Sequence, residues 1–283
     1  MRKTDITLQS GFDNLIRKQP IEQVGRLINS PEIFYLDGVP YCGYFQTPET
    51  LLKDLHRVAT KADVVKNGRE NTGIETKQAV FGIMPRSPAR NDYCRFTASS
   101  KSQTEIFAVL KVANEFFAEL YEKHFPENFK QAMAEITSNV HKSWRYVGSP
   151  YLTVNINLNH AIKYHRDSGN FPKALSTVLI VRKEASGGLL CIPEINITLA
   201  QEDGAFSLLP GAQIIHGVTP IKFNNHDSYR ASIVFYSMKN LKNCYPYHKE
   251  LERAQTMSLA KFYKQKSPEQ LAELKKALER SKP

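Results

Sequence analysis

Residues Val154-Asn155-Ile156-Asn157-Leu158-Asn159 alternate strictly between aliphatic and asparagine side chains. Because successive side chains of a β-strand point to opposite faces, this stretch predicts a strand with one apolar and one amide-lined face. Similar alternation, interrupted by Gly and Pro turns, runs through residues 151–237 and favours antiparallel strands in a double sheet. The amide face is expected to border a ligand cavity, and a solvent-exposed face is the alternative.

The same patterns predict further strands on both sides of this stretch. They fall at residues 32–36, 41–45, 176–181, 189–192, 205–209, 213–218 and 229–237. A helix is expected to open at Thr47-Pro48-Glu49, with Thr47 as its cap, and others at residues 102–124 and 127–138. Residues 60–77 are largely polar and predict a mobile loop.

Two capping signals support the helix predictions. Ser102 and Glu105 have the spacing of a capping box at the start of the 102–124 helix. Residues 247–283 are also predicted to be helical, with a second signal at Ser267-Pro268-Glu269-Gln270. This lysine-rich tail is either a solvated charged helix or a helix that faces DNA.

No internal repeat or Gly/Ser linker divides the 283 residues, so we expect one domain of the α+β class. Its core is predicted to be a double-stranded β-helix, which is a jelly-roll or cupin-like fold, with supporting helices. Residues 1–150 are expected to form an N-terminal helical and strand elaboration, 151–240 the catalytic jelly roll, and 241–283 a C-terminal helical tail.

Composition and charge indicate the cellular compartment and the binding partners of the protein. A net charge of +10 favours polyanionic partners. The sequence has neither a secretory signal nor eighteen consecutive apolar residues, so we expect no membrane partner. Cysteines 42, 94, 191 and 244 lack C-x-x-C spacing, which predicts reduced thiols without a zinc site or disulfides. The expected location is intracellular, in the cytoplasm of a bacterial or phage-infected cell or in a nucleus.

A candidate metal site begins at Tyr164-His165-Arg166-Asp167-Ser168-Gly169-Asn170, where His-x-Asp follows the predicted strand. A second histidine, His216, follows the Pro210-Gly211 turn. In a jelly roll, strands that are distant in sequence become neighbours, so His165, Asp167 and His216 are expected to converge on one metal. Two imidazoles and one carboxylate are the ligands of non-haem Fe(II) oxygenases.

A candidate co-substrate anchor lies fourteen residues downstream of His216, in the apolar strand Tyr229-Arg230-Ala231-Ser232. An arginine that points inward from such a strand needs an anion, although a surface ion pair is the alternative. We expect Arg230 to bind the distal carboxylate of 2-oxoglutarate through two hydrogen bonds, with the Ser232 hydroxyl adding another.

These residues resemble the TET/JBP family of 2-oxoglutarate- and Fe(II)-dependent dioxygenases, which oxidise the methyl group of 5-methylcytosine or thymine in DNA. The resemblance is closest over residues 151–237 and is to the compact members, because the Cys-rich zinc region of the animal proteins is missing. It implies that Asn170, three residues after Asp167, contacts the flipped base, and that Tyr236 stacks on it; a turn asparagine and a core tyrosine are the alternatives.

The resemblance is incomplete in two places. Met238 stands where animal and amoeboid members have a histidine that hydrogen-bonds the base, which weakens any assignment of the base. Residues 81–95 are similar to a region of phage and fungal members, which implies that Arg86, Arg90 or Arg95 reaches the co-substrate or the DNA. An ordinary basic loop is the alternative there.

The resulting expectation is a monomeric enzyme that uses Fe(II), 2-oxoglutarate and dioxygen to oxidise 5-methylcytosine in double-stranded DNA to 5-hydroxymethylcytosine. Because the methyl group lies in the major groove, the methylated base must flip out to reach a buried iron. Thymine hydroxylation to 5-hydroxymethyluracil, hydroxylation of a protein or small molecule, and a non-catalytic nucleic-acid-binding module are the alternatives.

Overall fold

Two β-sheets pack face to face in the computed structural model, which describes residues 1–69, 74–86, 92–264, 267 and 270. The strands are β1 (Arg2–Ile6), β2 (Arg26–Ile28), β3 (Glu32–Leu36), β4 (Val39–Gln46), β5 (Val65–Arg69), β6 (Ile74–Met84), β7 (Arg95–Phe96), β8 (Thr153–Leu158), β9 (Ser176–Lys183), β10 (Ala185–Gly187), β11 (Leu190–Ile192), β12 (Ile197–Leu199), β13 (Ala205–Leu209), β14 (Gly217–Val218), β15 (Ile221–Phe223) and β16 (Tyr229–Tyr236). The α-helices are α1 (Glu49–Lys61), α2 (Ala98–Ser102), α3 (Thr104–His124), α4 (Pro126–Asn139) and α5 (Tyr247–Lys264).

The larger sheet has the strand order β1-β3-β4-β13-β9-β16-β8-β6-β5, with β7 paired to β6. The smaller sheet has the order β14-β11-β12-β2. Together with the helices, these sheets confirm the α+β jelly-roll fold. Strands of the first hundred residues share both sheets with the strands of residues 151–240, and the division into elaboration, core and tail stays a prediction.

Each face of the larger sheet has its own apolar packing. One face packs against the helices, with Phe81, Ile156, Ile233 and Phe235 meeting Phe117 of α3 and its neighbours. The opposite face packs in part against the smaller sheet through a second buried cluster. The rest of that face is polar, and it includes the asparagines of β8 and the predicted anchor Arg230 of β16. Alternation along β8 and β16 thus separates the apolar core from a polar interior.

Glu32 ties three strands together at one edge of the structure. It is 1% exposed and accepts hydrogen bonds from Arg26 of β2 and Thr4 of β1. Burial by itself would raise the pKa of Glu32, but these hydrogen bonds and the arginine charge outweigh it and lower the pKa below 4.5. The ionised carboxylate is therefore a structural link between both sheets.

Most predicted strands appear within two residues of their expected bounds, and the 127–138 helix appears as α4. The 213–218 strand is shorter than predicted, because residues 211–213 form a turn and only β14 remains. The mobile loop predicted at 60–77 is wrong for its described residues: α1 continues to Lys61, and β5 pairs with β6 as an antiparallel hairpin. Residues 70–73 lie outside the described residues. Backbone pairing of β6 with β8 joins this hairpin to the sheet, although most residues between 65 and 78 are polar.

Two of the predicted caps are wrong. Thr47 does not cap α1, whose preceding residue is Pro48 without a side-chain hydrogen bond. Ser102 does not open α3; it ends the short helix α2, which Thr97 caps by accepting a hydrogen bond from the Ser100 amide. The Ser267 and Gln270 capping box is confirmed, because each side chain accepts a hydrogen bond from the other's amide, at 3.3 and 3.1 Å. Residues 271–283 lie outside the described residues.

The prediction of four reduced thiols is wrong, since Cys94 and Cys244 form a disulfide. Their separation of 150 positions along the chain leaves no sequence pattern to reveal the pairing. Cys42 and Cys191 are buried and free. In the part of the chain that is described, no helix combines the length and the apolar character needed to cross a bilayer. The intracellular location stays a prediction.

Candidate functional site

Two backbone pairings bring the predicted metal ligands together. His165 follows β8 and His216 precedes β14, and they form an isolated antiparallel bridge, with N–O distances of 2.9 and 3.0 Å. The Asp167 amide donates to the Gly211 carbonyl at 2.8 Å. The loop that carries His-x-Asp is thereby fixed to the Pro-Gly turn before the second histidine.

The three side chains form a compact set of potential ligands. Their ligand atoms all lie within 4.8 Å of one another. Asp167 carboxylate oxygens lie 3.4 Å from Nε2 of His165 and 3.8 Å from Nε2 of His216. The Nδ1 atoms are 2.8 Å from the Lys163 carbonyl and 3.1 Å from the Ile214 carbonyl. If Nδ1 of each ring donates to its carbonyl, Nε2 carries the lone pair that a metal requires.

Burial favours the coordinating form of His216. Burial away from solvent is the main cause that lowers the pKa of His216 to about 4, and the neighbouring His165 lowers it further. The imidazole is therefore neutral at physiological pH, as a ligand must be. Gly211 leaves the space beside the carboxylate open: a Cβ there would lie 2.9 Å from Asp167 Oδ2 and 3.4 Å from His216 Cε1. The sequence predicted only a turn at this glycine.

Arg166, between the two N-terminal ligands, points away from the triad. Its guanidinium forms ion pairs with Asp13 at 2.7 Å and Glu194 at 2.6 Å, and its Nε donates to the Gln213 carbonyl at 2.9 Å. These contacts hold the His-x-Asp loop against the N-terminal segment and the Pro-Gly turn. Arg166 is therefore a structural anchor of the site.

Arg230 is buried in the interior with an incomplete set of partners. It is 2% exposed, and one terminal nitrogen donates to the Gly188 carbonyl at 3.0 Å. Among the described residues no carboxylate pairs with it, and its Nε has no hydrogen-bond partner. Burial, and then the charge of Arg182, lower the pKa of Arg230 to about 10, so the group is still cationic at neutral pH. A surface ion pair is therefore the wrong interpretation.

Backbone contacts place Arg230 near the metal ligands. Leu189, next to the Gly188 that Arg230 contacts, exchanges hydrogen bonds of 2.9 Å with Thr219. Thr219 follows His216 by three residues. The buried guanidinium thus contacts the segment that pairs with the one carrying the distal histidine.

Polar side chains of β8 and β16 line the interior beside this cation. Ser232 is opposite Asn157 in register, and Asn157 Nδ2 donates to its hydroxyl at 3.4 Å. Asn155 Nδ2 donates to Asn157 Oδ1 at 3.1 Å, while Asn155 Oδ1 has no partner among the described residues. Both asparagines are buried, so the solvent-exposed face that was the alternative for β8 is wrong.

These observations fit Fe(II) and 2-oxoglutarate. Two imidazoles and one carboxylate are an appropriate donor set for ferrous iron. A buried guanidinium without a counter-ion fits a carboxylate, because burial of an unpaired charge is otherwise costly. His165, Asp167 and His216 would hold the metal, and Arg230 with Ser232 the distal carboxylate.

The candidate base-contacting residues Asn170 and Tyr236 lie on neighbouring segments of the chain. Asn170 forms an isolated bridge with Met238, and its Nδ2 donates to Ser176 Oγ at 3.4 Å. Tyr236 is half-buried and lies on the same face of β16 as Arg230, because it is six residues further along the strand. This face is not the one that packs against the helices, which argues against a core tyrosine.

The two described arginines of the 81–95 region do not gather at this site. Arg86 forms an ion pair of 3.4 Å with buried Glu250 and lies over the Tyr245 ring. Arg95 pairs with Asp92 at 3.0 Å. Both described arginines have structural partners, which opposes the implied contact with co-substrate or DNA. Arg90 lies outside the described residues.

Comparisons with known proteins agree with this geometry. The family model Tet_JBP, described as the oxygenase domain of the 2OGFeDO superfamily, matches residues 84–239, and that range includes the triad and Arg230. The solved structure of NgTET1 in complex with 5mC DNA is 14% identical, with a TM-score of 0.59 over 81% of this chain and 86% of that chain.

A second solved structure, an oxidoreductase of the 2OG-Fe(II) oxygenase family from Burkholderia pseudomallei, is 11% identical, with a TM-score of 0.47 over 69% of this chain and 85% of that chain. No curated protein matches the chain. The family model alone covers more than half of the sequence and spans every residue of the proposed iron and co-substrate sites. The chain therefore belongs to the TET/JBP family of the 2-oxoglutarate- and Fe(II)-dependent oxygenases.

Proposed function

We propose that this enzyme oxidises the C5-methyl group of 5-methylcytosine in double-stranded DNA to 5-hydroxymethylcytosine. The observation that carries the proposal concerns Asn170, which the family pattern assigns to the base: its amide donates to the carbonyl of the proposed ligand Asp167 at 2.9 Å, and it forms a bridge with Met238, two residues after Tyr236. The fold match to NgTET1, which was solved in complex with 5mC DNA, supports the same substrate class.

Bound iron with 2-oxoglutarate and dioxygen supplies the oxidising chemistry. The protein residues position the co-substrate and the base. Arg230 holds the distal carboxylate of the co-substrate in an interior closed to bulk water, and the polar row of β8 and β16 receives the rest of that molecule. Asn170 presents an amide, with both donor and acceptor atoms, to the edge of the flipped base, while Tyr236 offers a ring for stacking.

DNA as the substrate is consistent with the charge of the chain. Extrusion of a nucleotide costs a few kcal/mol, which stacking and phosphate contacts must offset. An excess of ten positive charges provides phosphate contacts without sequence preference. We propose that the enzyme acts as a monomer on a base flipped from the duplex.

Thymine in DNA is the second candidate base, and the product would be 5-hydroxymethyluracil. Met238, adjacent to Asn170, offers a thioether where a histidine would offer a strong hydrogen bond to cytosine. Asn170 can satisfy either pyrimidine by reversing its amide. A protein or small-molecule hydroxylase would share the iron ligands and the anchor, but would not need the basic surface.

Mass spectrometry of nucleosides tests the proposal. Methylated and unmethylated duplexes are incubated with enzyme, Fe(II), ascorbate and 2-oxoglutarate, with D167A as the matched control. New 5-hydroxymethylcytosine from the wild type alone supports the proposal, and new 5-hydroxymethyluracil identifies thymine instead. The DNA proposal is wrong if neither appears while 2-oxoglutarate turnover is stimulated by a protein or metabolite. A non-catalytic module is indicated if D167A keeps DNA binding and an unchanged iron content.

A further inference from the structure

A tight turn at Tyr146-Val147-Gly148-Ser149 presents a valine to solvent. Tyr146 and Ser149 form an isolated antiparallel bridge, and Gly148 has a φ of 72°, which glycine adopts without strain. Val147 is 102% exposed, so no part of its side chain rests on the protein. Single exposed apolar residues are common in folded proteins, and exposure by itself assigns no role.

The position of the turn is more informative. Pro150, three residues after Val147, accepts a hydrogen bond of 2.6 Å from Ser237 Oγ. Ser237 directly follows Tyr236, and its carbonyl accepts from the Phe171 amide at 3.0 Å. Because a chain spans at most about 3.6 Å per residue, the Cα of Val147 lies within about 11 Å of that of Pro150. This reach is about three base-pair steps along a DNA strand.

Both ends of the turn are fixed to the core. Trp144 is fully buried and donates from its indole nitrogen to the Tyr245 carbonyl at 2.7 Å. Ser149 is buried; its hydroxyl donates to Asn114 of α3 and accepts from the Tyr151 amide at 3.0 Å. Asn114 also donates to the Tyr151 carbonyl at 3.0 Å. The tip is therefore held out from a rigid base, and little conformational entropy would be lost when it contacts a partner.

The surroundings of the turn suit a polyanion. Residues 136–166 and 228–249 contain neither Asp nor Glu. Exposed lysines lie on two short 3-10 helices, Lys142 on Lys142–Trp144 and both Lys239 and Lys242 on Lys239–Asn243. The indole hydrogen bond to Tyr245 joins the first of these helices to the chain two residues after the second. An apolar tip on a segment with exposed cations matches a duplex, which has stacked bases between two phosphate backbones.

We infer that Val147 is an apolar wedge that enters the DNA base stack and fills the gap left by the flipped nucleotide. The inference rests on the proposed function. Valine carries no hydrogen-bonding group, so the wedge reads no sequence and acts by apolar contact with the neighbouring bases. The lysines beside it bind the phosphates and fix its register. The wedge lowers the cost of extrusion and takes no part in the oxidation.

The test compares rates on substrates that differ only in base pairing. Wild type and V147S are assayed on a methylated duplex, on the same strand without its complement, and on a duplex with an abasic site opposite the target. We expect V147S to lose about tenfold in rate on the paired duplex and less than about twofold on the other two. V147L should keep most of the wild-type rate on all three.

V112S is the matched control, because Val112 on α3 is also exposed, at 59%, and its loss should change none of the rates. Since Val147 contacts no core residue, folding of V147S is not at risk. Equal rates of V147S and wild type on the paired duplex would overturn the wedge alone, as would an equal loss on all three substrates. A wild type that oxidises neither 5-methylcytosine nor thymine in any of these DNAs would overturn the proposed function and the wedge together.

Discussion

Substitution of Arg230 by methionine should raise the stability of the enzyme while it abolishes co-substrate binding. The guanidinium is buried, and the drop of its pKa from 12.5 to about 10 corresponds to about 3 kcal/mol of unfavourable free energy at neutral pH. Methionine removes this penalty but also removes the hydrogen bond to Gly188, which contributes about 1 kcal/mol. Without 2-oxoglutarate, R230M should therefore be about 2 kcal/mol more stable than wild type.

Urea unfolding with and without ligand measures both effects. With Mn(II) in place of Fe(II) to prevent turnover, 2-oxoglutarate at a hundred times its Kd should stabilise wild type by about 2.7 kcal/mol. R230M should show no such gain. Its KM for 2-oxoglutarate should rise by roughly two orders of magnitude or more, because a lost buried charge pair costs about 2–5 kcal/mol.

R26M is the matched control, since it removes an arginine whose partner, Glu32, is a buried carboxylate. It leaves the buried Glu32 carboxylate with only the more distant Arg2, at 3.8 Å, as a charged partner and should destabilise the protein by about 3 kcal/mol, with ligand stabilisation retained. If R230M is destabilised like R26M, or binds 2-oxoglutarate as tightly as wild type, then Arg230 is not an unpaired cation that awaits a carboxylate.

Three other substitutions test separate parts of the structure. G211A places a Cβ 2.9 Å from Asp167 Oδ2 and should weaken Fe(II) affinity roughly 10- to 100-fold in an anaerobic titration, whereas unchanged affinity would show that the space is not needed. Because the folded-state pKa of Glu32 is lowered, the stability that its ionised form contributes is present above pH 4.5 and is lost as the pH falls through the folded pKa. E32Q should be less stable at pH 7 and vary less between pH 3 and 6 in urea unfolding; parallel curves would contradict the role of its charge. Replacement of Cys94 and Cys244 by serine should cost about 2–4 kcal/mol under non-reducing conditions, and a reductant should then affect only the wild type.

The sequence predicted the parts of the fold that depend on local periodicity. Alternation in 154–159 predicted β8, and turn residues predicted the neighbouring strands, because side-chain direction follows from backbone geometry alone. It missed the β5–β6 hairpin, since residues 65–77 are mostly polar, carry no apolar alternation and form strands by pairing with a neighbour. The Cys94–Cys244 disulfide was missed for a similar reason: only tertiary structure brings residues 150 positions apart together.

In the site too, local sequence predicted some features, and others depend on tertiary structure. Residue type and order sufficed to predict that His165, Asp167 and His216 converge, because the metal restricts which side chains can serve. The open space at Gly211 and the outward anchor formed by Arg166 could not be predicted, since both depend on distances across the fold. The roles of Asn170 and Tyr236 stay predictions.

Iron stoichiometry after anaerobic loading tests the central claim most directly. Wild type and D167A are loaded with equal Fe(II), passed through a desalting column and measured for iron and protein. If His165, Asp167 and His216 are the ligands, wild type retains one iron per chain and D167A retains almost none, with the same fold by circular dichroism. Equimolar iron in a folded D167A would contradict the account, because the metal would then be bound elsewhere.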